Sequence, residues 1–260
     1  MSVTQEWVAQ PVGSASRLYP VDRRPPIDGS TERVAYPVRG PSWIQSFFEL
    51  PADVAVKLEA SACKRTFRRG ETVIRRGDRS DRLYLILRGR VKLLLGSKGR
   101  DDLLISLLGE GEYFGDAAML DSRPWPVSAV AMESSEMYLL DRDVVLQTMS
   151  DCPELLSELL FNLTDHLRDT YEFIRDAIFL DVAGRVAKKL LDLARDYGRD
   201  TPEGEVIDIG LTQQDLARMV GVTRESVNKH LGAFKARGII DMRDRRIVLC
   251  RPEELKRRIY

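Results

Sequence analysis

The sequence predicts an α+β chain in which a small β-barrel or sandwich is followed by one long helix and then by a winged helix-turn-helix. Three observations carry this expectation. Between about residues 64 and 141, short Val-, Leu-, Ile- and Tyr-rich segments are punctuated by Gly70, Gly77, Gly89, Gly96, Gly99, Gly109, Gly111 and Gly115, the rhythm of short strands and glycine turns. After Pro153 the apolar period changes from two to helical. The last fifty residues then hold two short amphipathic helices around a glycine, with a pair of strands beyond them.

Residues 1–40 carry Pro11, Pro20, Pro25, Pro26 and Pro37 among scattered Ser, Gly and Arg, a composition that disfavours regular hydrogen bonding and predicts an extended or disordered arm. From Trp43, the apolar residues Ile44, Phe47, Phe48, Leu50, Val54, Val56 and Leu58 predict short entering helices. Strands are expected at 72–75, 83–87, 91–95, 103–107, 127–132 and 137–140. Leu156, Leu160, Leu163, Leu167, Thr170, Ile174 and Ala177 then recur at alternating spacings of four and three, a heptad seam. The seam runs on for roughly 30 Å at ~1.5 Å per residue, more than a small barrel can cover. Leu156, Leu160, Leu163, Leu167 and Ile174 are therefore expected to meet a second copy of the chain; the plainer alternative is that they pack on their own barrel. Asp181 is placed to cap a further helix that ends at Gly198, and residues 199–206 read as a polar loop before β signals at 206–209.

In the next segment, Thr212 is positioned to cap a short helix, with Asp215 as a capping-box partner and Gly221 as the turn. Thr223 caps the second helix, whose buried face is Val227, Leu231 and Phe234. Its other face carries Arg224, Glu225, Ser226, Asn228, Lys229 and Lys235. Such a face suits a major groove: Arg and Lys reach guanine O6 and N7, Glu accepts from cytosine N4, and Asn pairs with adenine. Arg245 and Arg246 lie in the turn of the following strand pair, a basic wing suited to phosphates. An ordinary solvated charged face is the bland alternative, but caps, turn glycine, buried spacing and wing agree with one another.

Composition bounds the rest. With 260 residues, 43% of them hydrophobic, the chain can build real cores and is not disordered as a whole. Its 40 basic and 40 acidic residues exclude a generic polycation. The balance is nevertheless polar: residues 211–260 hold 12 basic and 6 acidic residues, net +6, against net −6 for 1–210. The sequence has no run of about 18 apolar residues, so neither a membrane span nor a signal peptide is expected, and a cytoplasmic location follows as an expectation. Three scattered cysteines and two histidines give no disulfide framework and no metal-ligand spacing. An enzyme is not expected, since the chain has no nucleophile–base grouping and no Walker loop.

Gly70-Glu-Thr-Val-Ile, Gly77-Asp, Asp81-Arg-Leu-Tyr-Leu-Ile-Leu-Arg-Gly-Arg-Val-Lys, Tyr113-Phe-Gly-Asp and Phe179-Leu-Asp-Val-Ala-Gly-Arg-Val-Ala, together with the helix-turn-helix, resemble the Crp/Fnr family of bacterial transcription regulators over about residues 41–250. Beyond the arm that composition predicts at 1–40, the resemblance implies a jelly-roll barrel like a cyclic-nucleotide-binding domain (41–150), a dimerisation helix and hinge (151–181) and a winged helix-turn-helix (182–260). It also implies a homodimer on pseudo-palindromic double-stranded DNA, with RNA polymerase as a further candidate partner and no membrane. Base-reading positions of the family fall on Arg224, Glu225 and Lys229, and backbone-holding positions on Thr212 and Gln213. Lys229 departs from the usual Arg and cannot make its bidentate fork.

The ligand positions that the resemblance marks are Gly115, Asp116, Ala117, Ala118, Arg123, Trp125, Ser128, Thr170 and Tyr171. A cyclic-nucleotide cassette needs helix N–H groups and an Arg for the phosphate, and an acid for the ribose. Asp116 stands where the family has Glu, with an N-cap role as its alternative. The phosphate Arg and the hydroxyl residue after it fall on Trp125 and Pro126, which supply neither charge nor N–H; Arg123 is the substitute within reach. Ordinary control by cyclic AMP is therefore not expected. A cyclic dinucleotide held by Arg68, Arg69, Arg75, Arg76, Arg79, Arg88 or Arg90, or no small ligand, remains. Metal, haem and iron–sulfur sensing are not expected either. A second reading has the barrel acting on a partner protein, with the winged helix only docking.

Overall fold

The computed structural model describes residues 43–259 except 80, 98, 99, 203, 244 and 245; the expected arm at 1–40 and Arg245 lie outside the described residues. A 3-10 turn at Trp43–Ser46 leads into helix α1 (Ala52–Ser61). The strands β1 (Cys63–Phe67), β2 (Thr72–Ile74), β3 (Arg82–Arg88), β4 (Val91–Ser97), β5 (Arg100–Leu108), β6 (Tyr113–Phe114), β7 (Ser128–Ala131) and β8 (Ser135–Asp141) follow, with helix α2 (Asp116–Asp121) between β6 and β7. They form two antiparallel four-stranded sheets, ordered β1-β8-β3-β6 and β2-β7-β4-β5. This is a jelly roll whose interior is filled by Phe67, Ile86, Phe114 and Met137 from one sheet and Ile74, Val91, Leu93 and Ala129 from the other.

Strand β3 shows why this half holds together. Tyr84 and Ile86 point between the sheets, while Leu83 and Leu85 point the other way into a second core with Ile44, Phe48, Leu58 and Leu140. That second core also takes Val145 of helix α3 (Arg142–Asp151) and Leu155 and Leu159 of helix α4 (Pro153–Phe179). Strand β1 was not legible as a strand because only Phe67 is buried; Cys63–Thr66 are exposed and are held by pairing with β8.

Helix α4 carries the expected seam with proline in its first turn. Leu155 and Leu159 are buried against the barrel, whereas Leu156, Leu160, Leu167 and Ile174 of the seam are exposed, as are Tyr171, Ile178 and Phe179. Leu163 is half-buried. The helix breaks at Leu180 and Asp181, both extended, and the Asp181 carboxylate accepts from Gly184 N (2.7 Å) to cap helix α5 (Val182–Tyr197).

The C-terminal part packs α5, helices α6 (Gln213–Val220), α7 (Arg224–Ala236) and α8 (Pro252–Lys256) around a four-stranded sheet. Its strands β9 (Gly198–Thr201), β10 (Gly204–Ile207), β11 (Ile240–Arg243) and β12 (Arg246–Leu249) are ordered β11-β12-β10-β9. The polar stretch at 199–206 is therefore not simply a loop. Arg199, Asp200 and Thr201 pair with Val206, Glu205 and Gly204 as an edge strand, which needs backbone partners and no apolar alternation.

Candidate nucleic-acid interface and barrel pocket

Capping chemistry fixes the two helices of the reader. Thr212 Oγ1 accepts from Asp215 N (3.1 Å) and Asp215 Oδ2 accepts from Thr212 N (3.2 Å), a reciprocal box that satisfies two orphan donors of α6. Gly221 takes the left-handed turn (φ 67°), and Thr223 Oγ1 accepts from Ser226 N (3.3 Å) to start α7. Val227, Leu231 and Phe234 are buried, which turns Arg224, Glu225 and Lys229 outward to exposed positions. Ser226 and Asn228 are half-buried, and Asn228 Oδ1 is enclosed without a hydrogen-bond partner. Thr212 is exposed and Gln213 half-buried at the start of α6.

The wing is the β11–β12 pair, in register from Ile240 opposite Leu249 to Arg243 opposite Arg246. Arg243 donates to Asp241 (2.7 Å) and, with the Met242 N–H and Lys235, holds that carboxyl down at about 2. Arg246 pairs with Asp208 (3.0 Å). Between wing and helices lies an apolar cavity of about 380 Å³ lined by Leu193, Ile209, Leu216, Met242 and Ile247.

In the barrel, Gly115 has φ 109°, and a Cβ there would meet Arg82 O at 2.6 Å, so only glycine fits the entry to α2. Gly115 itself is the cap, so the expected N-cap role of Asp116 does not hold: Asp116 is the first helical residue. Its buried carboxylate accepts from Ala117 N (2.9 Å) and from Asn162 Nδ2 on α4 (2.9 Å). Asn162 had no sequence signal, being one polar residue on a mixed helix. Burial and the negative charges of Asp116 and Glu158 raise the nearby Tyr113 phenol well above its usual value.

Trp125 is 4% exposed. Its ring stands edge-on to Tyr84 (6.2 Å, 89°) and Phe114 (5.8 Å, 86°), and its Nε1 has no hydrogen-bond partner. Its backbone is fixed as well, N donating to Asp78 O (2.9 Å) and O accepting from Gly77 N (2.8 Å). The structure thus brings Gly115, Asp116, Ala118 and Trp125 into one buried neighbourhood, with Ala117 exposed at its edge. Arg123 does not enter it: its side chain is 83% exposed and faces Asp121 (3.7 Å). Ser128 Oγ accepts from Arg76 N (2.9 Å), Thr170 donates to His166 O (2.8 Å), and Tyr171 is exposed. A separate polar groove of about 820 Å³ is lined by Asp78, Arg79, Arg82, Ser122, Asp141 and Arg142. Among the described residues there is no group of three or more metal-ligating side chains, and no helix is long and apolar enough to cross a membrane.

A jelly-roll barrel joined through one long helix to a winged helix-turn-helix is the architecture of a DNA-binding regulator that carries a cyclic-nucleotide-type barrel. Comparison with known proteins agrees: a cyclic nucleotide-binding domain model matches residues 64–152 and a Crp-like helix-turn-helix domain model matches residues 184–258. The chain is 38% identical over 195 residues, 74% of its length and 86% of the relative's, to a CRP-like cAMP-activated global transcriptional regulator of Mycobacterium tuberculosis. It is 29% identical over 191 residues, 73% of its length and 86% of the relative's, to the global nitrogen regulator of Synechococcus elongatus. Among solved structures, the c-di-GMP responsive global regulator CLP of Xanthomonas campestris aligns with a TM-score of 0.69 at 25% identity, covering 76% of this chain and 99% of that one. The chain belongs to the CRP/FNR family of DNA-binding transcription regulators.

Replacing Thr212 with Ala removes one half of the capping box and should lower stability by about 1 kcal/mol, read as a shift in the urea midpoint followed by circular dichroism.

Proposed function

We propose that this chain is a homodimeric, sequence-specific DNA-binding regulator whose barrel has lost the usual way of taking cyclic AMP. The observation that carries the DNA reading is α7, which buries Val227, Leu231 and Phe234 and leaves Arg224, Glu225 and Lys229 exposed along one face. Arg224 fits guanine, Glu225 fits cytosine N4, and Lys229 supplies a point charge where a fork would be more selective. Ser226 and Asn228 flank them, Thr212 and Gln213 lie where N–H and side-chain donors hold a phosphate, and Arg246 serves the wing.

The homodimer reading is supported by the apolar side chains that α4 leaves exposed, Leu156, Leu160, Leu167 and Ile174, after Leu155 and Leu159 have been used on the barrel. Two such helices cover one another in a coiled-coil seam.

The reading of the barrel rests on Trp125. Where a cyclic nucleotide would need a guanidinium and a following N–H, the chain buries an indole against Tyr84 and Phe114 and then places Pro126. Asp116, the candidate acid, is committed to Asn162. One observation favours the alternative that a cyclic nucleotide is bound after all: the cAMP-activated relative at 38% identity.

Arg224→Ala should weaken binding to a selected palindromic duplex by about 1–3 kcal/mol and relax its sequence choice, whereas Arg246→Ala should weaken all duplexes alike. Equal losses on selected and random DNA for both variants would defeat the assignment. Thermal melting with near-millimolar cyclic AMP should be almost unchanged, since a ligand at about 100 times its Kd would add roughly 2.7 kcal/mol; a clear rise would restore the cyclic-AMP reading, and a rise with cyclic di-GMP alone would point to a dinucleotide. Leu167→Glu should convert a sedimenting dimer into a monomer.

A further inference from the structure

The barrel and the reader share a core. Leu94 of β4 and Leu104 of β5 are buried in one cluster with Val186, Leu190, Leu216 and Val220 of the reader. Around this apolar contact stand three polar ones. Lys92 Nζ donates to Asp215 Oδ1 at 2.8 Å, with side chains only 19% and 7% exposed. Arg90 Nη1 donates to Ile209 O (3.1 Å), and Tyr197 OH donates to Leu107 O (3.4 Å).

The position of Asp215 gives the ion pair its leverage. One carboxylate oxygen closes the capping box of α6, accepting from Thr212 N and from Thr212 Oγ1, while the other takes the ammonium of the barrel. Burial alone would raise this carboxyl, but Lys92 and Thr212 more than offset it and hold it below its ordinary value. The only covalent path from α4 to the reader is the two extended residues Leu180 and Asp181. A second clasp, Lys188 on Asp176 and Glu172, ties α5 to the end of α4. With both clasps closed, Arg224, Glu225 and Lys229 remain exposed, so docking on the barrel orients α7 without covering it.

From these contacts we infer that Lys92, a barrel residue outside the helix-turn-helix, is a positioning residue for DNA recognition: paired with Asp215, it holds the reader at the angle that lets two copies enter two half-sites together. The inference rests on the dimeric DNA-reader function proposed above. Two recognition helices must meet grooves about 34 Å apart. A reader turning freely on two extended residues would spend binding energy on being oriented, and that cost falls on simultaneous engagement and not on each reader alone.

The test uses the full chain with Lys92→Met and Asp215→Asn combined, which removes the clasp without changing net charge, keeps the aliphatic stem, and leaves an oxygen for the Thr212 cap. The probes are a palindromic duplex selected by the native chain from a random library and the same duplex with one half scrambled. The expected result is about tenfold weaker binding to the palindrome, unchanged binding to the scrambled half-site duplex, and faster proteolysis at residues 180–182. Lys92→Arg, which retains the charge, should bind the palindrome within about twofold of the native chain. Unchanged or tighter palindrome binding by the double variant would overturn the inference, tighter binding meaning that the clasp restrains the reader instead. Equal loss on both duplexes would overturn it too, as damage to the reader itself. If the native chain selects no palindrome from the library, the dimeric-reader function fails first, and the inference fails with it.

Discussion

The structure depends on a mismatch of length: α4 has 27 residues, roughly 40 Å of helix, and the barrel uses only its first turns. Leu155 and Leu159 complete the core beneath β3 and α3, and beyond them Leu160, Leu167, Ile174 and Ile178 face outward. A stripe of that length and apolarity is costly in water at ~25 cal/mol per Å², which is the physical ground for the dimer proposed above. The same helix sets where the reader begins, because only two residues, Leu180 and Asp181, separate its end from the start of α5.

On the proposed reading, the barrel keeps the frame of a binding cassette with different chemistry inside it. Gly115 makes the tight entry to α2, and the strands around it form the two sheets of the jelly roll. Within that frame, an indole lies against Tyr84 and Phe114, and the acid at the helix start is bonded directly to Asn162 of the long helix. A contact between cassette and helix therefore exists within the chain itself.

Much of this was legible in the sequence, for identifiable reasons. The Thr212 and Thr223 caps and the Gly221 turn are local patterns in which each residue's partner lies within a few positions, the apolar period of α4 runs within one helix, and the structure has these elements in place. The pairing of β1 with β8 and of β9 with β10 escaped notice because edge strands made of Lys, Arg, Asp and Thr lack alternation. The bonds Asp116–Asn162 and Lys92–Asp215 join residues 46 and 123 positions apart, and no composition or spacing announces such pairs. Trp125 was legible as a missing charge but not as a buried ring, because its neighbours Tyr84 and Phe114 come from other strands. Arg123 was within reach by residue count, yet its side chain turns to Asp121 at the surface.

The shared core of Leu94 and Leu104 with the reader bears on modularity. Cutting the chain after α4 to obtain a free DNA-binding fragment would strip two leucines from the fragment's core and leave Asp215 without its counter-ion. Grafting the reader onto a different barrel would meet the same gap unless the outer face of β4 and β5 travelled with it. In this chain, therefore, the unit that folds around the helix-turn-helix is larger than the motif and includes one face of a sheet that is distant in sequence.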